Sequence, residues 1–233
     1  GDDALLNTVE SKFSTIRCGQ SEHCDVRVTD IADHGVEGIT CKVVTKKGTY
    51  ALSIPAPGEH MVYSASMAVA VGEVLGLSHE EIVRGVAAYE PAGSRMRVLR
   101  LREGRIILDD CYNANPQSVT AALEVLAKTE CDRRVAVLGD MGELGALTDQ
   151  AHYNMGALAA MLGIDYVVAI GTKAAKIADG TAQSGGAMLH FATKEEAAAE
   201  LAQQLGPHTA MLVKASHAMH FGELVAELQR RYD

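Results

Sequence analysis

Apolar and polar residues alternate over residues 26–31, and two further β-like runs, 38–44 and 50–54, flank Lys46-Lys47-Gly48-Thr49 as the arms of a hairpin would. This stretch predicts a small antiparallel sheet. Pro55 to Gly58 break the pattern, and residues 60–75 follow as an Ala-, Val- and Met-rich run with helical spacing, closed by Gly76. Ser78-His79-Glu80-Glu81 then opens a second helix with a capping box, in which the Ser78 hydroxyl and the Glu81 carboxylate each satisfy a free backbone N–H.

Pro91-Ala92-Gly93 reads as a linker, because the style of the sequence changes after it, and a domain boundary is placed near residue 92. A hairpin over 96–108, turning at Glu103-Gly104, precedes a regular alternation. Its members are a helix from Pro116, strand 134–138, a helix from Thr148, strand 166–170, helix 173–178, strand 188–191, helix 193–205, strand 210–214 and helix 217–231. Such alternation implies right-handed βαβ crossovers and a mainly parallel, Rossmann-like α/β sheet with helices on both faces. Ligands of such sheets bind beyond the C-terminal ends of the strands.

Composition supports this reading. The 233 residues suffice for one large domain or two ordinary ones, and 48% are hydrophobic but only 4% aromatic, with no tryptophan. A core of Ala, Val, Leu, Ile and Met suits helices on a buried parallel sheet. A formal charge of -9 opposes nucleic-acid binding, which needs concentrated Lys and Arg, yet leaves room for a small anionic substrate held locally. The five cysteines are odd in number and lack the close paired spacing of zinc or redox motifs, so they read as reduced thiols of a cytoplasmic protein. No apolar run approaches the roughly 20 residues of a membrane helix, and the acidic start has no signal-peptide pattern, so no membrane insertion is expected. A start at Gly1-Asp2-Asp3 without methionine suggests an excised piece, and a monomer is the default expectation.

Three stretches fall at predicted strand ends. The first, Asp109-Asp110-Cys111-Tyr112-Asn113-Ala114-Asn115-Pro116-Gln117-Ser118, leaves a strand with two carboxylates and enters a helix through two asparagines and a proline. Helix capping explains the asparagines and proline. The adjacent acids repel each other and call for a cation or donor. The second, Leu138-Gly139-Asp140-Met141-Gly142-Glu143-Leu144-Gly145, is glycine-rich, but its Gly-x-x-Gly-x-x-Gly spacing departs from the dinucleotide fingerprint. Asp140 and Glu143 would repel a pyrophosphate and better suit a cation or a substrate amine. The third, Val213-Lys214-Ala215-Ser216-His217, brings a lysine, a hydroxyl and a histidine to a helix start. Its plain reading is a Ser216 cap beside a solvated Lys214; its functional reading makes Lys214 a point charge for phosphate or carboxylate.

Taken together, these stretches resemble the C-terminal domain of the Mur ligases, in particular the type that joins D-alanyl-D-alanine to a UDP-N-acetylmuramoyl tripeptide. Their order and spacing match that type better than the other Mur ligases or the folylpolyglutamate synthases. Pro57-Gly58-Glu59-His60 and Gly93-Ser94-Arg95 extend the resemblance upstream. It makes residues 1–92 the second half of a central ATPase domain without its phosphate-loop part, and 93–233 the C-terminal domain.

The resemblance implies an ATP-dependent amide ligase with Mg²⁺ as cofactor, in which ATP phosphorylates a substrate carboxylate and an amine attacks the acyl phosphate. It places His60, Arg95, Asp110, Asn113 and Asn115 toward the nucleotide or the closed interface. It places Asp140, Glu143, Lys214 and Ser216 toward D-alanyl-D-alanine, with Asp110 and Lys214 as the catalytic pair. The departures are specific. No Gly-x-x-Gly-Lys-Thr-type loop occurs, so the chain alone is expected to be inactive. His60-Met61-Val62-Tyr63-Ser64 stands where the family has His-Asn-x-x-Asn, and Ala215 replaces a usual glycine. These replacements leave two explanations, a divergent but active ligase with another adenine contact or a non-catalytic Mur-like module that binds a cell-wall precursor or a protein partner. A free-standing nucleotide-binding α/β domain is a third reading that rests on the fold alone.

Overall fold

The computed structural model describes all residues, Gly1–Asp233, and divides into two compact units, Gly1–Glu90 and Pro91–Asp233. In the first unit β1 (Cys18–Gly19), β2 (Val26–Asp33), β3 (Ile39–Val44) and β4 (Thr49–Ile54) form one sheet in that order. The β2–β3–β4 meander is antiparallel as expected, but β1 pairs parallel to β2, so the sheet is mixed. A two-residue strand is too short to show an alternating pattern.

The period of two puts Val26, Val28, Ile39, Cys41, Val43, Tyr50, Leu52 and Ile54 on one face, where α1 (Met61–Leu75) and α2 (His79–Ala87) cover them through Val62, Val69, Ile82 and Val86. Gly76 ends α1 in the left-handed region at φ 78°, and Leu77 N–H donates back to the Gly72 carbonyl, closing a Schellman turn. The capping box on α2 is present in both halves, Ser78 Oγ accepting from Glu81 N–H and Glu81 Oε2 from Ser78 N–H. Helix α1 also carries apolar residues on its outer side, where Met67, Val71, Val74 and Leu75 are exposed.

The second unit runs β5 (Arg97–Arg100), β6 (Ile106–Asp110), α3 (Pro116–Lys128), β7 (Arg133–Gly139), α4 (Thr148–Met161), β8 (Tyr166–Ile170), α5 (Ala175–Gln183), β9 (Met188–Phe191), α6 (Lys194–Gln204), β10 (Thr209–Lys214) and α7 (Gly222–Tyr232). The strand order is β5-β6-β10-β7-β8-β9, and every pairing is parallel except β5 with β6. One face packs Ile107, Val135, Val137, Val168, Met211 and Val213 against α6 and α7. Alternation turns Leu108, Ala136, Leu138, Ala169 and Leu212 the other way, where α3 and α5 lie on the strands and α4 packs on both. The expected α/β architecture is therefore present, and no helix is long and apolar enough to cross a membrane.

Two expected helices differ. The last starts at Gly222 rather than at 217, because His217–Met219 is a single 3-10 turn and His220 takes a left-handed φ of 53° that ends it. The expected helix 173–178 is instead Ala175–Gln183. Gly180 lies within it, where α4 and α5 approach so closely that a Cβ would collide with the Tyr153 carbonyl.

Candidate functional site

Strand β10 lies between β6 and β7, and its register sets Lys214 directly beside Asp110 on one side and Leu138 on the other. A salt link across 104 residues of sequence follows from that pairing. Lys214 is only 2% exposed, so the reading of a solvated lysine is overturned. Its Nζ donates to Asp110 Oδ2 at 2.5 Å and to the Asn113 carbonyl at 2.8 Å. The other carboxylate oxygen, Asp110 Oδ1, accepts from Met96 N–H at 3.0 Å. One aspartate thus ties the segment entering β5 to the ends of β6 and β10.

Both members of the Asp109-Asp110 doublet have the cation that their adjacency calls for. Asp109 is fully buried and its Oδ2 accepts from the Arg97 guanidinium at 3.1 Å, while Oδ1 has no hydrogen-bond partner. Burial, reinforced by the Asp109 charge, pushes the Cys111 thiol well above its ordinary range, and Sγ–H donates to the Val213 carbonyl. Cys111 is therefore a packed thiol rather than a nucleophile.

The two asparagines are locally engaged. Asn115 is the N-cap of α3, its Oδ1 accepting from Ser118 N–H while Ser118 Oγ accepts from Asn115 N–H, and Pro116 follows at the first helical position. Asn113 Oδ1 accepts from Ala114 N–H. Beside them Tyr112 is exposed and carries the Arg95 guanidinium 3.7 Å over its ring, and Tyr112 N–H donates to the Ser94 carbonyl. The Gly93-Ser94-Arg95 segment and the loop after β6 are thereby brought together.

The loop after β7 is held from three sides. Asp140 Oδ1 accepts from Ala174 N–H, and the Asp140 carbonyl accepts from Ser216 N–H. Ser216 Oγ in turn accepts from Gly142 N–H at 2.9 Å, so Ser216 bonds this loop and makes no side-chain cap. Met141 N–H donates to His152 Nε2 at 2.9 Å. Glu143 stands exposed at the tip with a left-handed φ of 60°.

A cavity of about 390 Å³ opens at this rim, lined by Gly93, Ser94, Cys111, Tyr112, His217, His220 and the start of α7 from Phe221 to Glu223. His217 lies 5.7 Å from Tyr112 and 6.1 Å from His220 between ring centres, and the three rings form an aromatic wall, with Arg95 stacked on the Tyr112 ring. Lys194 donates to Glu223 Oε2 and holds that carboxyl below its usual range. The sequence reading brought His217 to the rim without giving it a role, and missed His220 as a wall residue and His152 as a loop anchor. Adjacency to Ser216 was the only signal for His217. An apolar pocket of about 290 Å³ in the first unit, between α1, α2 and β4, contains none of the strand-end motifs. His60 lies in that unit at the N-cap of α1 and makes no side-chain capping bond. No group of three or more His, Cys, Asp and Glu residues is arranged to hold a metal ion.

Residues 94–217 match the family model of the Mur ligase glutamate ligase domain. The UDP-N-acetylmuramoyl-tripeptide--D-alanyl-D-alanine ligase of Bacillus subtilis (strain 168) is 29% identical over 98% of this chain and 50% of its own length. Its namesake from Escherichia coli (strain K12) is 34% identical over 85% of this chain and 43% of its own. Among solved structures, MurF from Acinetobacter baumannii superimposes with a TM-score of 0.83 at 32% identity, covering 90% of this chain and 46% of that one. The chain spans about half the length of the curated relatives it matches. A family match across more than half of its residues, on the fold of these ligases, makes this chain a member of the Mur ligase family.

Proposed function

We propose that this chain is the amine-receiving part of a longer cytoplasmic ligase that adds D-alanyl-D-alanine to UDP-N-acetylmuramoyl tripeptide. The observation that carries the reading is the cavity at the strand ends, walled by Tyr112, His217, His220 and Glu223, with the Lys214–Asp110 pair at the neighbouring strand ends. Its volume lies in the range of small-molecule sites, and its polar groups match a zwitterion. His217 and His220 would face the dipeptide carboxylate, while Glu223 would take its ammonium and Glu143, on the loop after β7, would stand ready for the same group as that loop meets substrate.

The other site residues divide by what already holds them. Asp110 and Lys214 act on substrate through the loops they fix, with Asn113 lending its carbonyl to that lysine and Asn115 starting α3. Asp140 and Ser216 set the loop that presents Glu143. ATP and Mg²⁺ do not fit on these residues alone, because the sequence has no phosphate-cradling loop and no acid cluster is placed for a metal. The nucleotide and metal would be held by the other half of the ligase, with Arg95 and His60 as this chain's contacts to it. The first unit would be the second half of the central ATPase domain, and the exposed apolar side of α1 supports this, since a helix apolar all round is ordinarily covered.

The test is phosphate release by the longer protein given ATP, Mg²⁺ and UDP-N-acetylmuramoyl tripeptide, with and without D-alanyl-D-alanine. Release that depends on the dipeptide is expected. Replacement of the usual amides by Met61 and Ser64 favours a second reading, a module that binds the precursor without turnover. Precursor binding with no phosphate release under any condition would select that reading.

A further inference from the structure

We propose that His152 is a positioning residue, whose neutral ring sets the backbone of the loop after β7 against Ser216. The ring is fully buried in the second turn of α4, and both of its nitrogens are occupied. Nε2 faces the Met141 N–H at 2.9 Å and Nδ1 faces the Thr148 carbonyl at 2.7 Å. A backbone N–H can only donate and a carbonyl can only accept. Nε2 must therefore carry the lone pair and Nδ1 the proton, and no other tautomer satisfies both contacts.

The bond has a consequence one residue further on. Met141 is completely buried, and without the ring its N–H would be left with no acceptor. The next amide, Gly142 N–H, donates to Ser216 Oγ, and Ser216 N–H donates to the Asp140 carbonyl. His152 thus fixes the first link of a chain that runs through Gly142 and Ser216 to His217, whose ring lines the cavity. A buried histidine that merely fills space would not need its acceptor nitrogen on a loop amide. Here the acceptor bonds the loop whose next amide bonds Ser216, the residue before the cavity-lining His217.

That the loop serves dipeptide binding rests on the function proposed above; that His152 sets the loop does not. The experiment uses the 233-residue chain in solution, with ¹⁵N NMR of the wild type and of His152→Leu and His152→Gln. Glutamine can place Oε1 near the position of Nε2 and accept from Met141, whereas leucine fills similar space without an acceptor. The expected results are an Nδ1–H tautomer and a Met141 amide that exchanges at least about tenfold faster in His152→Leu, with the amides of β7 and α5 unchanged. His152→Gln is expected to restore Met141 protection to within about threefold of wild type. If His152→Leu does not fold, His152→Gln against wild type still decides the matter, through the ring tautomer and the Met141 amide. A proton on Nε2, or equal Met141 exchange in His152→Leu and wild type, overturns the proposal. D-alanyl-D-alanine is then titrated into the same samples, and binding weakened about tenfold in His152→Leu and rescued in His152→Gln extends the role to the ligand. A wild type that shows the tautomer and protection but no dipeptide shifts contradicts the ligand reading and leaves the loop-setting role supported.

Discussion

The loops that leave β6 and β7 flank the same central strand, β10, but different forces hold them in place. The first is pinned by charge, with Asp110 and Lys214 forming a buried ion pair whose remaining contacts are Met96 N–H and the Asn113 carbonyl. The second is pinned by separate single bonds, from Ala174 N–H to Asp140, from Gly142 N–H to Ser216 Oγ and from Met141 N–H to His152. A buried pair holds as a unit, since losing one partner strands the other charge. Individual hydrogen bonds each contribute about 0.5–1.5 kcal/mol net and can be loosened one at a time. The difference leaves the second loop, with Glu143 exposed at its tip, the easier of the two to reshape.

The largest expected effect breaks the charged loop. Lys214→Met should cost about 3 kcal/mol in urea unfolding of the chain, because the half-buried Asp110 loses the ammonium it is paired with. Adding Asp110→Asn should recover part of that loss, since the stranded charge is gone. A Lys214→Met protein as stable as wild type would remove the ion pair from the account. Next comes Gly171→Ala, at a residue with φ 119° whose new Cβ would collide with Asp140 Oδ1. It should cost about 1–3 kcal/mol and displace the Asp140 carboxylate from Ala174 N–H, visible as a shifted Ala174 amide.

Ser216→Ala should be milder, at about 0.5–1.5 kcal/mol, because Gly142 N–H is only half buried and water can replace the hydroxyl. Faster exchange confined to the Gly142 amide would confirm that the second loop loosens one bond at a time. The smallest effect is alkaline. Burial and the Asp109 charge raise the folded Cys111 thiol above its ordinary value of 9.0, so its contribution is complete below that pH and is lost as pH rises above it. Cys111→Ala should flatten the fall in stability above pH 9.0, measured by thermal unfolding, and wild-type Cys111 should resist alkylation until the chain unfolds.

Much of this was legible in the sequence for physical reasons. Alternating apolar runs and helical spacing revealed the parallel sheet, and the expected strands 166–170 and 188–191 match β8 and β9 at both ends. The Asp109-Asp110 doublet at a strand end marked the rim, because adjacent acids need cations wherever the chain goes. What stayed hidden was non-local. Neither the pairing of Asp110 with Lys214 nor the burial of that lysine can be read from local pattern, since both follow from β10 inserting between β6 and β7. The left-handed turn at His220 has no glycine to announce it. His152 looks like any polar residue on a helix until the fold lays Met141 against it.

The central claim is that the cavity between the Gly93–Arg95 segment and the start of α7 receives the dipeptide. Calorimetric titration of D-alanyl-D-alanine into the chain, wild type against the double variant His217→Ala/His220→Ala, tests it most directly. One site in the wild type, weakened at least about tenfold in the variant with the fold intact, is the predicted result. Equal affinity in the two proteins would contradict it.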